Sequence, residues 1–382
     1  MEALLNKQLF IGMEDNTWFY SGAETPPLKG SLEAVNDYMN LRSEGPGGRE
    51  NNAAIEASCK SNLALLLGGK PENISLLSNS SEIISMIAGS LAFRPGDNVV
   101  VNRLEFPSGI LPWLVLQDRG VEVRFVEHTN WQITPDNILE CVDERTRLVM
   151  TSHVSYLSGT RLDYRGLYDR LKRTEALLLL DATQSLGAVP VDMNETDFLV
   201  CSSYKWLLGI HGLGILGINP ERLADFMPRS VGWRSVVDMF SPIRHSSYEF
   251  HKNAQRFETG YPSYPTVYAL NHSTKLLLDT GIDRIENHIL RLGDELIGKL
   301  EGLGFEIMTP KDPLRRAGNI CVISERGDEI SELLQMQRIY LWGGDGRFRA
   351  SIHLFNDSAD VDRLIDCLSE GFVGQAKEVE KL

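Results

Sequence analysis

Residues 177–217 read LLLLDATQSLGAVPVDMNETDFLVCSSYKWLLGIHGLGILG, and the organisation of the whole chain can be inferred around them. Leucines 177–180 form a short apolar run, typical of a strand buried on both faces, and the run ends at Asp181. A second apolar run, 197–201, leads into Ser202-Ser203-Tyr204-Lys205. Two neighbouring parallel strands would bring this acid and this amine to the same carboxyl edge of a sheet, where ligands bind in open α/β folds.

The amine and the acid have residue types suited to pyridoxal phosphate (PLP) chemistry. Lys205 precedes Trp206, Leu207 and Leu208, and apolar surroundings disfavour the charged form of an amine. A partly neutral amine can form a Schiff base with an aldehyde, and a carboxylate such as Asp181 can hold a protonated pyridine nitrogen. The spacing alone is equally compatible with a surface ion pair, or with a helix cap and a solvated lysine.

Composition limits the class of protein. A chain of 382 residues is long enough for one large and one smaller domain. The net charge of −14 argues against a partner that is a nucleic acid or an anionic membrane. The five cysteines are scattered without metal-ligand spacing, which indicates a reducing compartment. No apolar run approaches the length of a membrane span, and we expect a cytoplasmic protein without a metal site.

Strand and helix patterns alternate from residue 74 to residue 217, which predicts a mainly parallel sheet covered on both faces. Short strands and helices alternate again over residues 305–371 and predict a smaller α+β unit. Residues 215–218 form the last strand of the first series.

Two motifs carry a resemblance to a known family. Asp-Ala-Thr-Gln-Ser at 181–185 and Ser-Ser-Tyr-Lys-Trp at 202–206, followed by Gly209, Gly212 and Gly214, resemble the class V aminotransferases, which are PLP enzymes of fold type I. Cysteine desulfurases, kynureninases and isopenicillin-N-epimerase-like proteins belong to the same family. The resemblance implies PLP as cofactor, Lys205 as the Schiff-base lysine and Asp181 as the partner of the ring nitrogen.

The resemblance also implies the α/β fold of PLP-dependent transferases of the aspartate aminotransferase type. A large PLP-binding domain with a mainly parallel seven-stranded sheet would span residues 20–262. A small C-terminal α+β domain would span residues 263–382, with an N-terminal arm, 1–19, packed near it. The strand at 215–218 would run antiparallel to the others.

Serines that follow the strand at 74–77 are candidates for phosphate binding. Ser80 and Ser81 open a helix, and the N–H groups and dipole of a helix start favour an anion. A simple helix cap is the alternative. The resemblance implies that both serines belong to a phosphate cup, to which Ser202 and Tyr204 contribute further donors.

Flat and polar side chains are expected around the cofactor ring. Phe106, in a Phe-Pro context similar to kynureninases, would lie over the ring, although a phenylalanine is more commonly a core residue. Gln184 would hydrogen-bond the ring oxygen. Tyr156 stands where many relatives carry an asparagine, which leaves it as a contact of the ring or of the substrate. His153 is expected to be a hydrogen-bonded structural residue rather than a base.

Three further residues are assigned through the resemblance. Arg349, in the segment 348–356, would grip the α-carboxylate of an amino acid, unless it pairs with Asp345 or Asp357 on a sheet edge. Ala23 would approach the substrate closely together with Gly22, unless the segment is an ordinary strand and turn. Tyr261 follows the glycine of a motif that reaches the cofactor phosphate of a neighbouring subunit, which implies a homodimer with shared active sites.

The expected reaction takes place at the α-carbon of an amino acid. An aminotransferase is the first prediction, and a carbon–sulfur or carbon–carbon lyase or an epimerase is the alternative. A persulfide-forming cysteine desulfurase is excluded, because such enzymes need a nucleophilic cysteine on a mobile loop before the arginine of the motif. The corresponding segment, 340–349, is short and contains no cysteine, and Cys321 lies on a predicted strand, where it cannot move. A non-catalytic protein of this fold is less favoured, because Asp181, Lys205 and Arg349 are all intact.

Overall fold

A computed structural model describes residues 1–373, so the last part of the predicted C-terminal domain, 374–382, lies outside the described residues. The strands, in chain order, are β1 Thr17–Trp18, β2 Ile74–Leu77, β3 Asn98–Asn102, β4 Glu122–Val126, β5 Thr146–Ser152, β6 Leu177–Asp181, β7 Phe198–Ser202, β8 Gly214–Ile218, β9 Glu306–Ile307, β10 Asn319–Ile323, β11 Ile339–Tyr340, β12 Trp342–Gly344 and β13 Arg347–Ser351.

The α-helices are α1 Lys29–Leu41, α2 Pro46–Leu66, α3 Ser80–Ser90, α4 Leu111–Leu114, α5 Pro135–Leu139, α6 Tyr164–Leu171, α7 Tyr264–Thr280, α8 Ile282–Gly302, α9 Gly327–Met336 and α10 Ser358–Leu368. Short 3-10 turns lie at Lys7–Leu9, Arg42–Glu44, Pro71–Asn73, Pro107–Gly109, Val115–Arg119, Met193–Glu195, Ala254–Phe257 and Pro313–Arg315, and a π-helical turn lies at Ser369–Val373. Within residues 1–373, no helix combines the length and the apolar composition needed to cross a membrane.

The central sheet has seven strands in the order β2-β8-β7-β6-β5-β3-β4. Only β8 runs against its neighbours, pairing antiparallel with both β2 and β7, whereas the other pairs in this sheet are parallel. Leu178, Leu179 and Leu180 of β6 are fully buried because the strand lies in the middle of the sheet with both faces covered. The predicted mainly parallel sheet and its single antiparallel strand are confirmed.

The carboxyl edge of this sheet collects the polar residues that follow its strands. Strands β6 and β7 are adjacent and end at Asp181 and Ser202. Ser152, at the end of β5, lies opposite Asp181 in the parallel register. Strand β2 leads into α3 at the same edge, and the antiparallel β8 begins there at Gly214. Five segments distant in sequence therefore meet along one edge.

A second, four-stranded antiparallel sheet has the order β12-β13-β10-β9. The N-terminal residues attach to this part of the molecule, since β1 pairs with β11 and Lys7 forms ion pairs with Asp357 and Asp360. Helix α7 packs on α1 and α2. The predicted domain limits, 20–262 and 263–382 with an arm at 1–19, stay a prediction.

Candidate active site

A cavity of about 360 Å³ opens at the carboxyl edge of the large sheet. It brings together most of the side chains that were predicted from the sequence to form the site. Those that line it are Ser80, Ser81, Phe106, Tyr156, Asp181, Gln184, Ser202, Tyr204 and Lys205. Arg349, Ala23 and Tyr261 do not line this cavity.

A tightly hydrogen-bonded loop holds Lys205 in place. The backbone N–H of Gly209 donates to the Ser203 carbonyl at 3.0 Å, and the Ser203 hydroxyl donates to the Ile210 carbonyl at 2.6 Å. Trp206, which is 1% exposed, anchors the loop in the core and donates from its indole N–H to Gln184 at 2.9 Å. Gly187 permits this packing, because a Cβ at that position would lie 2.2 Å from the Trp206 carbonyl oxygen.

Lys205 and Asp181 face the same cavity, and both are buried. Burial, together with the positive charge of Arg349, lowers the pKa of Lys205 to about 8, and the negative charge of Asp181 opposes this shift. Burial raises the pKa of Asp181, although hydrogen bonds from Thr183 and the charge of Lys205 act in the other direction. The two side chains interact through their charges but form no hydrogen bond with each other. A ligand can therefore be held between an amine that is readily made neutral and a carboxylate.

Hydroxyl groups and the start of α3 supply hydrogen-bond donors to the same cavity. Helix α3 begins at Ser80, with Asn79 as its cap, and the Ser80 and Ser202 hydroxyls lie 2.7 Å apart. Ser81 is exposed at the same helix start. Gly214 of β8 lets the helix start approach, because a Cβ there would lie 2.5 Å from the Asn79 carbonyl carbon. The helix cap, the alternative considered for these serines, is thus supplied by Asn79, and both serines remain candidates for phosphate binding.

Two aromatic rings form one wall of the cavity. Phe106 is 49% exposed, so it is not the core residue that was the alternative. Its ring stands perpendicular to that of Tyr156 at 5.2 Å, and Lys205 Nζ lies 5.8 Å from its centroid. Gln184 is largely committed to the protein: its amide nitrogen donates to the Gly22 carbonyl, and its oxygen accepts from Trp206 and Asn319. One amide hydrogen of Gln184 remains for a ligand.

Arg349 belongs to β13 of the small sheet and lies next to the cavity, where it contacts Tyr156. Its Nη1 donates to the Tyr156 carbonyl at 2.8 Å, and its buried Nε has no hydrogen-bond partner. Neither Asp345 nor Asp357 pairs with it, so the alternative ion pair on a sheet edge is not formed. A Cβ on Gly22 would lie 3.0 Å from the Arg349 guanidinium carbon, which places the segment with Gly22 and the half-buried Ala23 beside this arginine.

Tyr261 lies in a different and larger cavity, of about 870 Å³. Its hydroxyl accepts hydrogen bonds from Arg49, with Nη2 at 2.8 Å, and its ring contacts Trp233. Neither Lys205 nor Asp181 lines this cavity, so its size does not make it the site of the chemistry. His153, expected to be structural, is buried, accepts a hydrogen bond from Arg161, and has its pKa lowered well below the usual value by burial.

Some residues of the site were not named from the sequence. Thr183 donates its N–H to Asp181 Oδ1 at 2.8 Å and accepts at its hydroxyl from the Ser202 N–H. The ring of His211 stacks on Tyr204 at 3.8 Å. Thr183 lies two residues after the end of β6, so its place at the carboxyl edge could have been predicted in the same way as that of Asp181. The position of His211 depends on the course of its loop and could not.

Glu105 is a buried carboxylate that was also missed. It accepts hydrogen bonds from the Ser152 N–H at 2.7 Å, the Ser152 hydroxyl and the Asn102 amide. Burial, together with the charge of Asp181, raises the pKa of Glu105 to about 7, and the hydrogen bonds from Ser152 and Asn102 oppose this shift. The local sequence does not predict this role for Glu105, because its donors are Asn102 at the end of β3 and Ser152 at the end of β5.

We expect Glu105→Gln to remove a pH dependence of stability from the PLP-free protein. Folded Glu105, with a pKa near 7, binds its proton more tightly than the unfolded chain with a pKa near 4.5. Its stabilising contribution is therefore complete below about pH 4.5 and is lost as the pH rises through 7. The loss is on the order of 3 kcal/mol, because one pKa unit corresponds to about 1.4 kcal/mol.

Urea unfolding at pH 5 and pH 8 measures this effect as the change in free energy of unfolding. Wild type should lose more stability than Glu105→Gln between the two pH values, and the exposed control Glu127→Gln should follow wild type. An equal loss in wild type and Glu105→Gln would show that Glu105 is charged at both pH values.

One family matches most of the chain, and the relatives include proteins named cysteine desulfurases and proteins named uncharacterized aminotransferases. The family model described as "Aminotransferase class-V" matches residues 18–364. A probable cysteine desulfurase of Methanothermobacter thermautotrophicus is 28% identical, covering 94% of this chain and 95% of its own.

Solved structures agree on the fold. An apo cysteine desulfurase from Thermococcus onnurineus NA1 superposes with a TM-score of 0.87 at 23% identity, covering 97% of this chain and 99% of its own. The cystine C–S lyase C-DES, in complex with its product cysteine persulfide, has a TM-score of 0.86 at 24% identity, covering 94% of this chain and 99% of its own. The predicted fold is confirmed.

The relatives also correct one prediction. The exclusion of a persulfide-forming cysteine desulfurase is wrong, because relatives named cysteine desulfurases match along most of the chain. The turn between β12 and β13 indeed holds no cysteine. That absence does not exclude a desulfurase, because a thiol that is not part of this loop can also accept sulfur.

Proposed function

The chain belongs to the class V aminotransferase family, and from this we propose that it is a PLP-dependent enzyme that cleaves the carbon–sulfur bond of a cysteine-type amino acid. The observation that carries the proposal is the placement of Lys205 and Asp181, both buried, on one cavity without a hydrogen bond between them. The choice of a sulfur amino acid rests on the relatives, several of which are named cysteine desulfurases.

The residues of the cavity fit PLP in charge and in shape. Lys205 Nζ would hold the cofactor through its aldehyde carbon, and the Asp181 carboxylate would hold a proton on its ring nitrogen. Phe106, which is half exposed, would cover one face of the ring. Ser80, Ser81, Ser202 and Tyr204, with the start of α3, would bind the phosphate.

When bound, PLP withdraws electrons from the α-carbon of an amino acid and so lowers the barrier to breaking bonds at that carbon and next to it. Lys205 supplies the base: with its pKa near 8, Nζ is partly neutral at physiological pH and can accept the α-proton. Arg349, buried beside Gly22, would orient the amino acid by binding its α-carboxylate.

The sulfur released by this reaction needs an acceptor. Cys321 is 0% exposed on β10, opposite Arg349, and burial raises its pKa to about 11, so it is a poor nucleophile there. No cysteine lines the cavity of Lys205. We therefore propose that a thiol that enters with the substrate takes up the sulfur.

Product analysis of the PLP-loaded enzyme tests the function. L-Cysteine with an added thiol should give either L-alanine and a persulfide of that thiol, or pyruvate, ammonia and sulfide. Each outcome breaks the carbon–sulfur bond, and both support the proposal. If the cofactor instead accumulates in the pyridoxamine form and no sulfur is released, carbon–sulfur cleavage is not the activity.

Arg349→Ala is expected to weaken amino-acid binding and to leave PLP binding unchanged. A charge-assisted hydrogen bond contributes about 1.5–3 kcal/mol, so KM should rise by roughly 10- to 100-fold with a smaller change in kcat. Arg349→Lys, which keeps the charge but not the two-pronged geometry, should lie between. Loss of PLP binding in Arg349→Ala would show instead that this arginine shapes the cofactor cavity.

We further propose a homodimer in which Tyr261 and Arg49 reach the cofactor phosphate of the other subunit. Tyr261 is 47% exposed and already accepts a hydrogen bond from Arg49, in a cavity open on the surface of the single chain. Sedimentation should give twice the chain mass of 42.8 kDa. Arg49→Ala should weaken PLP binding by roughly 10-fold, while Arg42→Ala should not. The five unpaired cysteines favour a reducing, cytoplasmic location.

A further inference from the structure

A second arginine, Arg347, lies on the same face of β13 as Arg349. The two are separated by one residue, so their side chains point to the same side of the strand and their Cα atoms are about 7 Å apart. Arg347 is 3% exposed and Arg349 is 4% exposed. Two buried guanidinium groups side by side repel each other and are costly to bury unless anions compensate them.

The two arginines are held in the same way. The guanidinium carbon of Arg347 lies 4.5 Å from the ring centroid of Trp342, and that of Arg349 lies 5.7 Å from it. Each arginine uses Nη1 for the protein, Arg349 for the Tyr156 carbonyl and Arg347 for Asp345 at 2.5 Å. In both, the buried Nε has no hydrogen-bond partner within the part of the chain that the structure describes.

Within residues 1–373, no carboxylate pairs with the Nε–Nη2 edge of either arginine. That edge is the one with which a guanidinium binds a carboxylate through two parallel hydrogen bonds. A buried donor without a partner costs roughly 1–3 kcal/mol, which a ligand carboxylate would recover.

Tyr156 connects Arg347 to the cofactor cavity. This residue lines the cavity, its carbonyl binds Arg349, and its ring centroid lies 5.6 Å from the Arg347 guanidinium carbon. A substrate held at Arg349 by its α-carboxylate would therefore lie near a second guanidinium, that of Arg347, which is two residues earlier on the same strand. Among residues 1–373, the only charged partner of Arg347 is Asp345, whose side chain is 73% exposed in the turn before β13.

We infer that Arg347 forms a subsite for a second carboxylate, and that the preferred substrates are cysteine derivatives with a carboxylate on the group attached to sulfur. This class includes disulfides such as cystine and thioethers with a distal acid. The inference rests on the proposed function and specifies its substrate. Arg347 is thereby a residue that determines specificity, and Arg349 serves any α-amino acid.

A matched pair of ligands tests the subsite on the PLP-loaded enzyme. S-(2-carboxyethyl)-L-cysteine and its neutral amide, S-(2-carbamoylethyl)-L-cysteine, have the same size and differ in the distal charge. Dissociation constants come from the change in cofactor absorption, and kcat/KM is measured alongside. Wild type should bind the acid roughly 10- to 100-fold more tightly than the amide, as expected for a charge-assisted pair of hydrogen bonds.

Two variants separate substrate binding from a structural role. In Arg347→Gln the preference for the acid should fall to about one, with binding of the amide unchanged. Asp345→Asn, which removes the ion pair but keeps the arginine, should retain the preference. If Arg347→Gln does not fold, Arg347→Lys should fold and show a reduced preference for the acid.

Three results would overturn the inference. Wild type that binds acid and amide equally has no second carboxylate subsite. Equal losses for both ligands in Arg347→Gln and Asp345→Asn would assign Arg347 to the stability of the turn. Failure of the wild-type enzyme to bind any cysteine derivative would overturn the proposed function as well, so the two failures are distinguishable.

Discussion

Lys205→Ala is expected to lose covalent retention of PLP and to reduce the activity by about 1000-fold or more. The amine is buried and its pKa is near 8, so at that pH about half of it is neutral and able to attack an aldehyde. Loss of a positioned general base typically costs 10²- to 10⁴-fold, and here the same residue also holds the cofactor. Borohydride reduction of the PLP-loaded protein followed by peptide mapping measures the attachment directly.

The exposed Lys275 provides the control for this experiment. Its side chain is 68% exposed and pairs with Asp279, so Lys275→Ala should keep both the label and the activity. In wild type the extent of labelling should rise with pH to half its maximum near pH 8. A pyridoxyl label on another lysine, or a label that persists in Lys205→Ala, would disprove the assignment.

Asp181→Asn is expected to lower kcat/KM by roughly 10²- to 10⁴-fold, because the amide keeps the shape of the side chain but not its charge. The hydrogen bond from the Thr183 N–H to Oδ1 can persist in the variant. What is lost is the negative charge that would hold a proton on the cofactor's ring nitrogen. The charge of Asp181 also raises the pKa of Lys205, so labelling of Lys205 should shift to lower pH.

Glu105→Gln is the matched comparison, since it removes another buried carboxylate from the same edge of the sheet. Glu105 does not line the cavity of Lys205, and we expect its variant to change kcat/KM by less than about 10-fold. Cofactor absorption spectra and pH-dependent labelling distinguish the two variants. If both lowered kcat/KM equally, the effect would come from the general electrostatics of the edge and not from a specific contact of Asp181.

The sequence determined the central sheet and the pair of residues at its edge. Leucines 177–180 and the run from Phe198 to Cys201 are apolar throughout, which is typical of strands covered on both faces. In a parallel sheet, the residues that follow these strands must meet at the carboxyl edge. For this reason the sequence places Asp181 and the loop of Lys205 at the same edge, and it places Ser80 after the strand at 74–77.

The tertiary structure alone decided the contacts among the side chains that surround this pair. Glu105 receives its donors from residues 3 and 47 positions away, and Arg349 is bonded to Tyr156 at a separation of 193 residues. These contacts depend on the path of the chain between distant positions, and the local periodicity of the sequence does not predict that path. The exclusion of a persulfide-forming cysteine desulfurase rested on the positions of the cysteines along the sequence, and the relatives overturn it. In the proposed enzyme, the choice among substrates would depend on contacts between distant segments, such as the packing of Arg347 on Trp342 and Tyr156.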